Sequence, residues 1–190
     1  MIMAIKIFID QGHNPSNPNA GAEGQGLREQ DITYDIGIRL AELLRANPNF
    51  EVRTSRTSPT QVLGTTNAQS LASRVNDANT WGADYFISLH TNASTITSAS
   101  GNEGYVFALG GVAEAFAASI LRGLTASTGI PSRGVFARPT LYVLRRTRMP
   151  ATLVEMGFIT NPGDAYLMSR EPDRFARGIY NGILAYFGLS

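Results

Sequence analysis

Thr152-Leu153-Val154-Glu155-Met156-Gly157-Phe158 is a run of apolar residues with one carboxylate set inside it. Leu153, Val154, Met156 and Phe158 read as a strand buried on both faces and running into Gly157, the pattern of a parallel sheet covered by helices. An ionised Glu is almost never fully buried without a partner. Glu155 therefore either pairs with an arginine of the upstream Arg145-Arg146-Thr147-Arg148, or faces a metal or a substrate at the mouth of a site.

The rest of the chain supplies the layers around that strand. Ile5 to Ile9 reads as a first short strand, broken at Asp10-Gln11-Gly12-His13 and followed by a loop rich in Asn, Pro and Gly to Gly26. A helix spans about Glu29 to Arg45, because Ile32, Ile36, Leu40 and Leu43/Leu44 recur at spacings of three and four and form one apolar face. Asn47-Pro48-Asn49 stops it, as proline must. Phe50 to Arg53 is a second strand, about Ser70 to Trp81 a second helix, and Asp84 to Leu89 a third strand that ends at His90. A Ser/Thr/Asn-rich loop covers Thr91 to Asn102, Gly104 to Leu109 is a strand, and Val112 to Thr128 is a helix with Ala117, Ile120, Leu121 and Leu124 on one face. Val135 to Leu144 is expected to supply one or two short strands, and Thr160-Asn161-Pro162-Gly163-Asp164 a turn. A last helix runs from about Asp173 to Phe187. Strands alternating with helices predict an α/β fold. The expectation is a single-domain three-layer sandwich over residues 1–190, with a mostly parallel central sheet and helices on both faces.

Composition excludes several classes of function. The 190 residues carry a formal net charge of only +1 and no basic run, so no long-range field points to nucleic acid or an anionic membrane. The absence of cysteine removes disulfides, thiolate metal sites and a Cys nucleophile. No run approaches the length of a membrane span. The segment Met1 to Asp10 is too short, and too early ended by Asp10, for a secretory signal.

Chemistry converges on the two histidines, His13 and His90, each of which directly follows an apolar strand. Sites in open α/β sheets form beyond the carboxyl ends of parallel strands. If the two strands are parallel neighbours, both imidazoles emerge at one edge, and Glu155 on a third strand can join them. Two His with a carboxylate form a catalytic zinc set. Glu29, at the start of the first helix, is a candidate third ligand; a first-turn Glu is also favoured simply by the helix dipole. Asp10 and Asp31 are its rivals, and spacing does not choose among the three. A metal centre that activates water needs a base and then an acid, and one Glu can serve as both in turn. Glu155, held in an apolar strand, should have a raised pKa through desolvation, which suits that task.

Four blocks carry a resemblance: Ile9-Asp10-Gln11-Gly12-His13, then Glu29, then Phe86-Ile87-Ser88-Leu89-His90-Thr91-Asn92-Ala93, then the stretch from Pro150 to Asn161 around Glu155. In this order and spacing they resemble the zinc-dependent N-acetylmuramoyl-L-alanine amidases of the amidase 3 type, over nearly the whole chain. The resemblance implies one zinc ion held by His13, Glu29 and His90, with Glu155 as the catalytic acid/base. It also implies peptidoglycan as substrate, cut at the amide between the lactyl group of N-acetylmuramic acid and L-alanine. Asn92 is a candidate contact to the substrate amide and Arg145 to a peptide carboxylate. Arg74 is expected in a structural ion pair, and Trp81 and Tyr105 as core or flank residues.

Two departures from the family stand out. Asn14-Pro15 follows the first His, where the family usually has a glycine. The segment after His90 is short, whereas some division-associated relatives carry a long helical insert there that occludes the zinc. An open site is expected, in a monomer needing no activator protein, nucleic acid or membrane. The chain would act on the bacterial cell wall, by phage-type release, by expression in a sporulating mother cell, or as a portion of an exported protein. Competing readings are a zinc peptidase or carboxypeptidase acting on stem peptides, an inactive peptidoglycan-binding domain, and a metal-free glycosidase using Glu29 and Glu155.

Overall fold

The computed structural model describes residues 4–189; the first three residues of the Met1 to Asp10 segment lie outside them. In chain order the elements are β1 (Ile5–Gln11), β2 (Glu23–Gly24), β3 (Leu27–Arg28), α1 (Glu29–Arg45), β4 (Phe50–Thr54), α2 (Asn67–Trp81) and β5 (Tyr85–Asn92). Then follow β6 (Asn102–Val106), α3 (Val112–Thr128), β7 (Ser132–Ala137), α4 (Tyr142–Arg146), β8 (Ala151–Phe158), α5 (Pro162–Arg170) and α6 (Pro172–Phe187). Six strands form one sheet in the order β4-β1-β5-β8-β6-β7. β4, β1, β5 and β8 are mutually parallel, while β6 lies antiparallel to β8 and parallel to β7. The expected α/β sandwich with a mostly parallel sheet is the observed fold.

Alternation along the strands sorts the core into two layers. Ile7 and Ile9 of β1, with Ile87, Leu89, Val154 and Met156, face α1, α3 and α6, which contribute Ile36, Leu40, Ile120, Leu124, Ile179 and Ile183. Phe8, Phe86 and Leu153 face the other way, against Val75 and Ala78 of α2 and Val143 and Leu144 of α4. The connection from β1 through α1 leads to β4 on one side, and the chain then returns through α2 to β5 on the other. The strand order therefore switches between β1 and β5, and a crevice opens beyond their carboxyl ends. No helix of the described residues is long and apolar enough to cross a membrane.

Several boundaries differ from the sequence expectations. β5 does not stop at Leu89 but continues through His90 to Asn92, because it pairs with β8 as far as Phe158. The strand expected over 104–109 is shifted to Asn102–Val106. The stretch 135–144 holds the end of one strand and the beginning of the short helix α4. The turn expected at Thr160–Asp164 is the start of α5, with the Asn161 side chain accepting from Gly163 N and Asp164 N and Pro162 in the first turn. Asn-Pro signals a turn and a helix start equally well. The loop expected to run to Gly26 contains β2 and the turn of a small β2–β3 hairpin.

Candidate metal centre and active site

Three elements bring the candidate ligands together at the switch between β1 and β5. β1 ends on Gln11, and Gly12 then passes so close to β5 that a Cβ there would lie 2.5 Å from Leu89 O and 2.6 Å from the His90 ring. Only glycine fits this contact. His13 follows in a left-handed conformation, φ 68°, unusual for a residue with a side chain. Glu29 is the first residue of α1, and the Thr33 hydroxyl one turn later donates to Gly12 O at 2.8 Å, tying the helix to the same loop.

Glu29 is 4% exposed. Its Oε2 lies 3.1 Å from His13 Nε2 and its Oε1 lies 3.0 Å from His90 Nδ1. The backbone amides of Ala22 and Thr91 donate to the same two oxygens, each at 2.9 Å. Burial by itself would raise the Glu29 pKa. Hydrogen bonds and charge from His13 and His90 outweigh it and hold the carboxyl well below the usual carboxylate range. One candidate ligand atom from each of His13, Glu29 and His90 lies within 4.8 Å of the others. Two imidazoles and one carboxylate converging in this way fit a zinc ion, whose catalytic sites use this donor set. His13 Nδ1 is buried without a hydrogen-bond partner, so the ring is not tied down through that nitrogen.

The rivals of Glu29 are engaged elsewhere. Asp10 is fully buried and forms an ion pair with Arg74 Nη1 at 2.6 Å, beside a 2.7 Å hydrogen bond from the Ser88 hydroxyl. Burial would raise its pKa, but the Arg74 charge and these hydrogen bonds outweigh it and lower the value. Arg74 thus has the structural ion pair expected of it. It also donates to Gln11 O and His13 O, each at 2.6 Å, and so clamps the His13 loop. Asp31 pairs with Arg28 on the surface.

Glu155 stands opposite His90 in the β5–β8 register and opposite Glu103 in the β6–β8 register. Residues paired in register project to the same face, so His90, Glu155 and Glu103 form a row across three strands. Glu155 Oε2 is buried and unpartnered. Burial, then repulsion from Glu29 and Glu103, pushes the Glu155 pKa up to about 8. Glu103 is itself held by Arg133 Nε and the Tyr105 hydroxyl. Sequence reasoning missed Glu103, and no local signal marks it; only the antiparallel pairing of β6 with β8 brings it here.

A cavity of about 170 Å³ beside His13 and His90 is walled by Leu71, Leu141, Tyr142 and Leu153. Asn92, two residues after His90, uses its side-chain oxygen to accept from Ala93 N at 2.9 Å. Arg145 is exposed on α4 and lines a separate cleft with Phe107, Val112 and Met149. Trp81 flanks the Phe8 ring, with centroids 6.4 Å apart, and Tyr105 is half-buried against the α2/α4 core, both as expected.

A family model described as N-acetylmuramoyl-L-alanine amidase matches residues 7–185. The N-acetylmuramoyl-L-alanine amidase CwlM of Bacillus licheniformis is 36% identical over 190 residues, covering 98% of this chain and 70% of the relative. The sporulation-specific N-acetylmuramoyl-L-alanine amidase of Bacillus subtilis (strain 168) is 34% identical over 189 residues, covering 97% of this chain and 69% of the relative. Among solved structures, the catalytic domain of CwlV, an N-acetylmuramoyl-L-alanine amidase from Bacillus (Paenibacillus) polymyxa var. colistinus, aligns with a TM-score of 0.85 at 28% identity. That alignment covers 98% of this chain and 99% of the other.

Proposed function

As the chain belongs to the N-acetylmuramoyl-L-alanine amidase family, we propose that it hydrolyses the amide between N-acetylmuramic acid and L-alanine in the peptidoglycan of the bacterial cell wall. We assign residues 1–190 to one catalytic domain that holds zinc through His13, Glu29 and His90. Glu155 is the acid/base. The observation that carries this reading is the convergence of His13, Glu29 and His90 with an unpartnered carboxylate in register with His90.

Zinc, when bound, supplies Lewis acidity to a carbonyl and to water. Glu29 contributes a full negative charge, since its two imidazole neighbours keep it ionised. Glu155 in its ionised form takes a proton from the attacking water, whose oxygen bonds to the lactyl carbonyl carbon. It then delivers that proton to the alanine nitrogen as the C–N bond breaks, leaving a muramic carboxylic acid and a free amine. A carboxyl with its affinity for a proton raised by burial, then by Glu29 and Glu103, is suited to hold the proton between these two steps. Asn92 and Arg145 are the proposed outer substrate contacts. The short connection between β5 and β6 supports a site that needs no activator protein.

The experiment is digestion of peptidoglycan with and without chelator, followed by mass spectrometry. The expected products are stem peptides that begin at a free L-alanine amine, lost with chelator and restored by zinc. Disaccharide fragments or shortened peptides would overturn the bond assignment.

A further inference from the structure

The face of the sheet that carries Glu155 continues past it onto β6 and β7. Over β1, β5 and β8 that face is covered by α2 and α4. The helix packed against β6 and β7 is α3, and it lies on the opposite face, where Ala117 and Leu121 approach Gly104. Glu103, Tyr105, Arg133, Phe136 and Arg138 therefore form a strip that starts at Glu103, opposite Glu155, and runs along β6 and β7 past the level of Thr152; Arg133, Phe136 and Arg138 are exposed.

The contacts along this strip are continuous. Glu103 faces Glu155 across the β6–β8 register. The Tyr105 hydroxyl donates to Glu103, and the Arg138 guanidinium lies over the Tyr105 ring, 5.0 Å from its centroid. Arg133 spends its charge on Glu103. Arg138 has no acidic partner among the described residues, although it is fixed in direction by Tyr105 and by its own backbone, whose amide donates to Val106 O at 2.8 Å. From Ala115 to Val154 the chain carries six arginines and no acidic residue, so this segment is cationic while the remainder of the sequence is net negative.

The scissile amide sits at the amino end of a peptide. What extends from it on the alanine side must therefore end in a carboxylate, and an oriented guanidinium is the side chain suited to one. We propose that the uncovered face of β6 and β7 binds the peptide side of the substrate, with Arg138 recognising a carboxylate of that peptide. The proposal rests on the amidase reading and adds a specificity-determining residue to it. Tyr105 and Phe136, whose ring centroids are 6.4 Å apart, form the apolar floor along which the peptide lies.

The test uses the zinc-loaded protein and muramoyl peptides of one sequence, with the peptide carboxylates either free or converted to amides. The wild type is expected to favour the free carboxylates. Arg138→Gln is expected to raise KM on them about tenfold, the worth of one charge-assisted hydrogen bond, with little change in kcat. The ratio of kcat/KM between free and amidated substrates should then fall to about one. Arg138→Lys should recover part of it, since a point charge replaces a planar fork. An unchanged KM in Arg138→Gln would overturn the proposal. So would an equal rise on both substrates, which would mean that Arg138 acts only by packing on Tyr105. Failure of the wild type to release L-alanine amines from either substrate would instead overturn the amidase reading.

Discussion

Glu155 and Glu103 are paired in register on adjacent strands, yet they are chemically distinct because of their neighbours. Glu103 is paired with Arg133 and hydrogen-bonded by Tyr105, whereas Glu155 has a buried oxygen with no hydrogen-bond partner. A proton shuttle needs the second environment. Glu155→Gln is expected to lower kcat by about 10²–10⁴-fold with zinc content unchanged, measured by turnover and metal analysis on the same preparation. Equal turnover would remove Glu155 from the mechanism. A second residue-scale prediction concerns Asp10 and Arg74. The Asp10 carboxyl is held below its unfolded value. It therefore contributes stability that is present above the unfolded pKa of about 3.9 and is lost as pH falls through the lower folded value. Urea denaturation between about pH 5 and 2 should show this loss in the wild type and a flatter profile in Asp10→Asn. That variant should also be less stable at neutral pH by about 3–5 kcal/mol, because Arg74 would keep a buried charge without its counter-ion.

At the scale of elements, the packing of α3 on α6 is set by glycines. A Cβ at Gly123 would lie 2.2 Å from Gly178 O, and one at Gly182 would lie 2.6 Å from Ser119 O. The two backbones touch, and the Ser119 hydroxyl adds a 2.9 Å hydrogen bond to Gly182 O. Gly182→Ala should therefore destabilise the protein by about 1–3 kcal/mol through overpacking, despite the better helix propensity of alanine. A shift of the urea midpoint in the opposite direction would show that the helices separate without cost. α5 illustrates where local reading fails. Asn161-Pro162-Gly163-Asp164 has the composition of a turn, and its first two residues are equally a cap and a first helical position. What decides for the helix is the environment. Asp164 on its first turn accepts from Phe158 N at 2.9 Å and from the Ser100 hydroxyl at 2.7 Å, while Ala165 and Met168 are buried.

For the whole molecule, the candidate metal centre joins parts of the chain that are far apart in sequence. His13 comes from the loop after β1, Glu29 from the start of α1 and His90 from β5. An ion bound there ties these elements together in the folded state only, so zinc should stabilise by mass action, by about 4 kcal/mol when present at a thousand times its Kd. Thermal unfolding with and without chelator measures this directly. In His90→Ala the chelator effect should largely vanish, together with most of the activity. A chelator-insensitive melting temperature in the wild type would argue against zinc at these residues.

The sequence by itself determined the α/β class, because apolar strands alternating with amphipathic helices have few other ways to bury their faces. It also pointed to His13, His90 and Glu155, since a polar residue at the end of, or inside, an apolar strand stands out against its neighbours. It left Glu29, Asp10 and Asp31 undecided as third partner until the family resemblance favoured Glu29, because all three lie close to the same loop in sequence. Tertiary structure decided among them physically: Asp10 is consumed by Arg74 beneath the sheet edge, Asp31 by Arg28 on the surface, and Glu29 alone reaches both imidazoles. The placing of Glu103 beside Glu155 was likewise invisible in the chain order. It follows from β6 pairing antiparallel with β8, a contact between segments about fifty residues apart whose local patterns carry no record of which strand each will meet.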